Sequence, residues 1–254
     1  SIKISGLTGG HSGMDIYKGR GNSNKLMSRL LLNASEKFGL LIHSVDGGGL
    51  RNAIPRESAA MVVIPSKNAE PFNLFIQEQY QMYKTEYKTT DPNLTLVTEP
   101  AEFSSTVLPA DSQFKLLRSL HVCPNGIFRM SPDIPGLVQT SNNLARVLVK
   151  DGSYSILCLT RSAVDSETMD LAQTIRSAFE LSGAEVTFGG SYPGWKPNPG
   201  ASIVKLMSDL YKERYNEKAD VNACHAGLEC GIIGKNYPGM EMISFGPNIH
   251  GAHS

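Results

Sequence analysis

The chain is expected to fold as an α+β protein, with two ferredoxin-like β-α-β-β-α-β type units followed by a shorter α/β stretch. Three observations carry that expectation. From Ile2 to Val97 the apolar residues switch between strand and helix periods in the order strand, helix, strand, strand, helix, strand. A related order returns between Ala110 and Phe188, with negligible identity between the halves, so the repeat is one of topology. At Gly189 the composition turns to glycine and proline, which reads as a domain crossing. The boundaries are therefore set at residues 1–188 and 189–254.

Each element has a local reason. Ile2-Lys-Ile-Ser-Gly-Leu reads as a short strand that ends in the loop Thr8-Gly-Gly-His11-Ser-Gly13. Leu26, Met27, Leu30, Leu31 and Ala34 make a helical stripe over residues 24–38, and Gly39 stops it. Residues 40–46 and 58–64 read as strands around the irregular connection Gly47 to Pro55. Phe72, Phe75, Ile76 and Tyr80 mark a second helix over 71–88, and residues 94–97 a returning strand. In the second half, 110–121 and 166–181 are helical, residues 137–149 and 154–161 form a hairpin across Lys150-Asp-Gly-Ser, and 185–188 closes the unit as a strand. Beyond the crossing come a helix over 201–215, a strand near 220–223, a short helix after Gly227 and a strand near 242–245. That remainder is too short for a complete α/β domain. Together with an opening in mid-strand and a stop inside a glycine-rich loop, it reads as part of a longer protein.

Composition excludes several classes. The 24 basic and 24 acidic residues balance and are scattered, so no field recruits nucleic acid or an acidic membrane. No apolar run approaches the roughly 18 residues that span a bilayer. Four cysteines, none in a CxxC pair, are too few and too far apart for a disulfide framework. Cys224 and Cys230 flank His225 and Glu229, but zinc knots favour closer cysteine pairs, so buried thiols in a reducing cytoplasm are the better reading.

Several residues are candidates for chemistry. His11 sits between glycines after a strand, where an imidazole can carry a proton, bind a metal or donate to an oxyanion, although it also reads as a polar loop residue. His250 and His253 share a glycine-rich loop after a strand, the place where α/β sheets bind ligands, yet one loop rarely supplies a whole metal site. Glu229 opens a helix and could simply complement its dipole. Arg161 ends the apolar strand Ile156-Leu-Cys-Leu159, and Arg51-Asn52 lies on the connection before Pro55. Both suit recognition of a carboxylate, and both also read as a strand-end charge and a turn. No H-x-D, Glu-Glu, HExxH, GxSxG or phosphate loop is present, so no self-contained hydrolase site can be assembled.

Taken together, Gly9-Gly-His11-Ser-Gly13, Arg51-Asn-Ala-Ile-Pro-Arg-Glu57, Tyr192-Pro-Gly-Trp195, His225-Ala-Gly-Leu-Glu-Cys-Gly231 and Gly246-Pro247 with Gly251-Ala-His253-Ser254 resemble one family. It is that of the bacterial aminoacyl-histidine (Xaa-His) dipeptidases, among the co-catalytic zinc amidohydrolases that include carboxypeptidase G and the aminoacylases. Five such blocks in order are specific where one GGHSG would not be. The resemblance implies a lid or dimerisation domain in residues 1–188 and a C-terminal fragment of an α/β zinc-peptidase catalytic domain in 189–254. It implies His253 as a metal ligand and His11 as the lid histidine that reaches the scissile carbonyl oxygen. Asn52 and Arg161 match substrate-binding positions, Arg161 toward the substrate carboxylate, and Gly227 matches a backbone position in the same pocket. The implied cofactor is a pair of divalent ions, zinc by expectation, activating a bridging water. The implied substrate is an Xaa-His dipeptide such as β-alanyl-histidine, and the implied assembly a cytoplasmic homodimer formed through the lid. The family's remaining ligands and its general base have no counterpart here, so the chain alone is expected to be inactive. Ala252 stands where the family pattern leads one to expect proline. Two alternatives stay open: a non-catalytic dimerisation or binding module, and a related di- or tripeptidase or N-acyl-amino-acid hydrolase.

Overall fold

Strand β1 (Ile2–Ser5) buries Ile2 and Ile4 and turns Lys3 outward, the alternation of a strand with one wet face. These positions are taken from a computed structural model, which describes residues 1–102, 106–191, 193–223, 225 and 229–246. After the two-residue strand β2 (Gly10–His11) the chain enters α1 (Ser23–Phe38). Asn22 caps this helix by accepting from the N–H groups of Asn24 and Lys25, and Gly39 ends it at φ 66°. The expected apolar stripe is the buried one. Strands β3 (Leu41–Gly48), β4 (Ala53–Ile54) and β5 (Ser58–Val63), helix α2 (Ala69–Glu86) and strand β6 (Thr95–Thr98) complete the first unit. Its strands lie side by side in the order β6-β1-β5-β3, all antiparallel. That is the split pattern in which the first and last strands of a ferredoxin-like unit become neighbours.

The second unit runs α3 (Ala110–Val122), β7 (Gly126–Met130), β8 (Val138–Lys150), β9 (Ser153–Ser162) and α4 (Asp165–Glu180). The hairpin closes on Asp151 (φ 51°) and Gly152 (φ 76°), the paired left-handed residues that match the twist of the flanking strands. The two units share one sheet. β8 pairs with β9 along one edge, and its other edge is divided between β3 and β7. At the seam Gly48 has φ 72°, and a Cβ there would lie 1.9 Å from the Ala145 carbonyl oxygen, so only glycine lets β3 approach β8. A single core runs under both units: Leu30 and Leu31 of α1, Phe75 of α2, Leu116 and Leu117 of α3 and Leu171 and Ile175 of α4 all pack with Ile4, Ile42, Leu144 and Val147.

The fold class is as expected, with local differences. Strand β7 and the pair β2–β4 were not anticipated, because two short runs in glycine-rich connections carry little alternation. Residues 185–188, 220–223 and 242–245 form no strand. An extended run becomes a strand only where a sheet edge takes up its N–H and C=O groups. Val186 instead packs its side chain against the core. Beyond the crossing lie α5 (Ser202–Tyr215) and α6 (Glu229–Asn236). Leu206, Leu210 and Tyr211 of α5 and Ile232 and Ile233 of α6 face solvent. No helix among the described residues is long and apolar enough to cross a membrane.

Candidate functional site

The glycine-rich loop after β1 is shaped around the His11 side chain. β2 pairs with β4, setting His11 opposite Ala53, and the Ser12 N–H donates to the Asn52 carbonyl at 2.8 Å. Asp15 accepts from the His11 backbone N–H at 2.8 Å and from Lys18 Nζ at 2.6 Å, pinning the loop from behind. The imidazole Nδ1 accepts two backbone N–H groups, from Gly13 at 3.2 Å and Met14 at 3.0 Å. With Nδ1 occupied as an acceptor, Nε2 is the ring nitrogen that can donate. The loop thus presents a hydrogen-bond donor on a fixed ring.

Arg161, near the end of β9, lies against the same loop. Its Nε donates to Ser12 Oγ at 3.4 Å, and a Cβ built on Gly13 would sit 3.5 Å from its Cδ and 3.2 Å from the His11 ring. Gly13 is therefore the thin wall between the two side chains. Asn52 occupies the turn before β4 and is joined to the loop through the Ser12 bond. His11, Asn52 and Arg161, which lie far apart in the chain, meet at one place.

Beside them runs a buried polar stretch of β8 that the sequence reading missed, of which Ser141 and Asn143 share one face of the sheet. Thr140, Ser141, Asn142 and Asn143 of β8 are consecutive, polar and almost completely buried. Each has partners. Thr140 Oγ1 bonds Glu167 at 2.5 Å and Ser162 Oγ at 2.8 Å, Asn142 Nδ2 donates to the Pro124 carbonyl, and Asn143 Nδ2 donates to the carbonyls of Arg51 and Ala53. Ser141, which is 1% exposed, lies directly across the ladder from Arg161 and bonds His225 Nε2 at 2.8 Å. The polar run Gln139-Thr-Ser-Asn-Asn143 inside a long strand was the available signal, since buried polar groups persist only when bonded.

His225 belongs to the block that precedes α6 and is 3% exposed. Burial, with the Arg161 charge and His11 nearby, pushes its pKa down from 6.5 to about 4, so the ring rests neutral. The unfolded chain takes up this proton first as the pH falls. Its stabilising contribution is therefore complete above pH 6.5 and drains away between pH 6.5 and about 4. The loss amounts to roughly 3 kcal/mol at most. Urea midpoints across this range are expected to fall less steeply for His225→Gln than for the unaltered chain, and identical slopes would remove His225 as the source.

Gly227 and His253 lie outside the described residues, as does His250. Among the described residues no group of three or more His, Cys, Asp or Glu side chains could hold a metal ion. Glu229 is exposed in the first turn of α6, as a residue complementing the helix dipole would be. Cys123, Cys158 and Cys230 are free thiols.

Comparison with known proteins places this geometry in context. Residues 2–91 match the sequence family described as the peptidase dimerisation domain. Over 253 residues, all of this chain and 52% of its relative, the sequence is 36% identical to the cytosol non-specific dipeptidase of Escherichia coli (strain K12). The crystal structure of aminoacylhistidine dipeptidase from Vibrio alginolyticus matches with a TM-score of 0.91 at 37% identity, again over all of this chain and 52% of the other. The chain spans about half the length of the relatives it matches.

Proposed function

We propose that this chain, with a peptidase dimerisation domain in residues 2–91 and similarity to dipeptidases along its whole length, is the lid and C-terminal part of a metal-dependent dipeptidase. The lid is residues 1–188, and 189–254 is a fragment of the catalytic domain. The observation that carries the reading is the meeting of the His11 donor, Arg161 and the Asn52 turn at one point beside His225.

In this reading the substrate is a dipeptide ending in histidine, such as β-alanyl-histidine. His11 donates through Nε2 to the carbonyl oxygen as it gains charge, a role that requires a ring already in the right tautomer. Arg161 and Asn52 hold the free carboxylate, with the Gly227 backbone completing the pocket. The described residues do not themselves form a metal centre. Two divalent ions, zinc by preference, would be held by His253 and by residues outside this chain. The open apolar faces of α5 and α6 support the presence of further protein packed against them. The same reading makes the longer protein a cytoplasmic homodimer joined through the lid.

The name of the Escherichia coli relative, a non-specific dipeptidase, favours a second reading in which the C-terminal residue is not restricted to histidine. One experiment addresses both. The 254-residue chain and the longer protein are supplied with zinc or manganese and offered β-alanyl-histidine and dipeptides with other C-terminal residues. Hydrolysis by the longer protein alone is the expected result, and its substrate profile decides between the readings. Inactivity of both on every dipeptide would replace the dipeptidase with a non-catalytic assembly module.

A further inference from the structure

The buried contact between Ser141 and His225 has no part in the chemistry above, yet it joins the lid sheet to the segment that carries Gly227 and leads into α6. Ser141 shares its ladder position with Arg161, so a bond made at Ser141 is made beside the group that grips the substrate carboxylate. The neighbouring residues of β8, whose side chains take the other face of the sheet, are tied down: Thr140 to Glu167 and Ser162, Asn142 to Pro124 and Thr160. A second link lies close by. The Gly194 N–H donates to Asp165 Oδ1 at 2.8 Å, and a Cβ on Gly231 would lie 2.4 Å from the Pro193 carbonyl oxygen. Residues 193–194 are thus packed on the lid just past the end of β9, and the start of α6 is packed on them.

We propose that His225 is a positioning residue, which through its bond to Ser141 is itself anchored beside the Arg161 end of β9 and so steadies the pocket for the substrate carboxylate. The proposal rests on the dipeptidase reading and adds to it a residue that touches no substrate. A serine hydroxyl can donate or accept, so it bonds either neutral tautomer of the ring, and a buried polar atom that loses its partner is costly. The consequence is specific. Loosening this bond should weaken binding of substrates that present a free carboxylate, while the donor function of His11 is left intact.

The test uses the longer protein with its metals, and the variants Ser141→Ala, His225→Ala and His225→Gln. Two quantities are read: hydrogen–deuterium exchange of the 225–231 segment, and kcat and KM on a free dipeptide and on its C-terminal amide. Ser141→Ala and His225→Ala are expected to speed exchange in the segment. Each should raise KM for the free dipeptide about tenfold with kcat within about threefold. The double variant should be no worse than either single one, the amide should show no such penalty, and His225→Gln should restore most of the loss. Faster exchange with an unchanged KM, or an equal penalty on acid and amide, would overturn the proposal and leave a purely structural contact. A wild-type protein inert on all dipeptides, with the exchange difference still present, would instead overturn the dipeptidase reading and the substrate role with it, leaving the anchor alone.

Discussion

His11→Ala in the longer protein is expected to lower kcat by about 10²–10³-fold with little change in KM, the usual effect of removing one oxyanion donor. The size of the effect follows from how the ring is held. Two backbone N–H groups occupy Nδ1, and the His11 N–H is itself fixed by Asp15, so the position of the ring is set before any substrate arrives. A donor on a rigid loop loses little to reorganisation as charge develops, and its gain is realised in the transition state rather than the ground state. Bound metal should be unchanged in the variant, because in this reading His11 meets the substrate carbonyl and not the metals. Asp15→Ala tests the same point from a distance: the loop would lose its brace, and kcat should drop by a smaller factor. If kcat survives His11→Ala, the ring is a structural part of the loop and the donor must be sought elsewhere.

How much of this was legible in the sequence depends on the range of the interaction. Helix α1 was readable because its stripe and its Gly39 stop are local, whereas its Asn22 cap, equally local, was seen only in the structure. The β8–β9 hairpin was readable because Asp-Gly readily takes the paired left-handed conformation that closes two strands tightly. The union of two units into one sheet was not, since it depends on β8 offering one edge to both β3 and β7. The closing strand expected at 185–188 failed for the same reason: alternation selects an extended backbone but cannot provide a partner edge.

The candidate site divides in the same way. His11 and Arg161 drew attention through glycines and a strand end, and their proposed roles came from the resemblance, which carried information that spacing did not. The Ser141–His225 bond joins residues 84 apart in the chain and could not be foreseen from either neighbourhood. Nor could the orientation of the His11 ring, which follows from the two backbone N–H groups that occupy Nδ1. Gly227 and His253 remain expectations of the resemblance alone.

Arg161→Ala is expected to act on the other kinetic parameter. Arg161 leans on Ser12 and stands across the ladder from a serine that is itself bonded, so its stem is confined and its guanidinium has few alternative positions. Preorganised charge costs little entropy on binding, and a bidentate pair with a carboxylate is among the stronger polar contacts available. Its removal should lower kcat/KM for free dipeptides by about 10²–10³-fold, chiefly through KM, because the interaction is made equally in ground and transition states. Arg161→Lys should recover only part of this, since an ammonium cannot reproduce the planar fork. The C-terminal amide separates the site from the scaffold: a variant crippled on the acid and unaffected on the amide has lost a carboxylate contact. One that loses both equally has lost the shape of the loop, for Arg161 also supports Gly13, and Gly13 supports the ring of His11. Opposite behaviour of the two variants, His11→Ala in kcat and Arg161→Ala in KM, would establish that two side chains separated by a single glycine perform separable tasks.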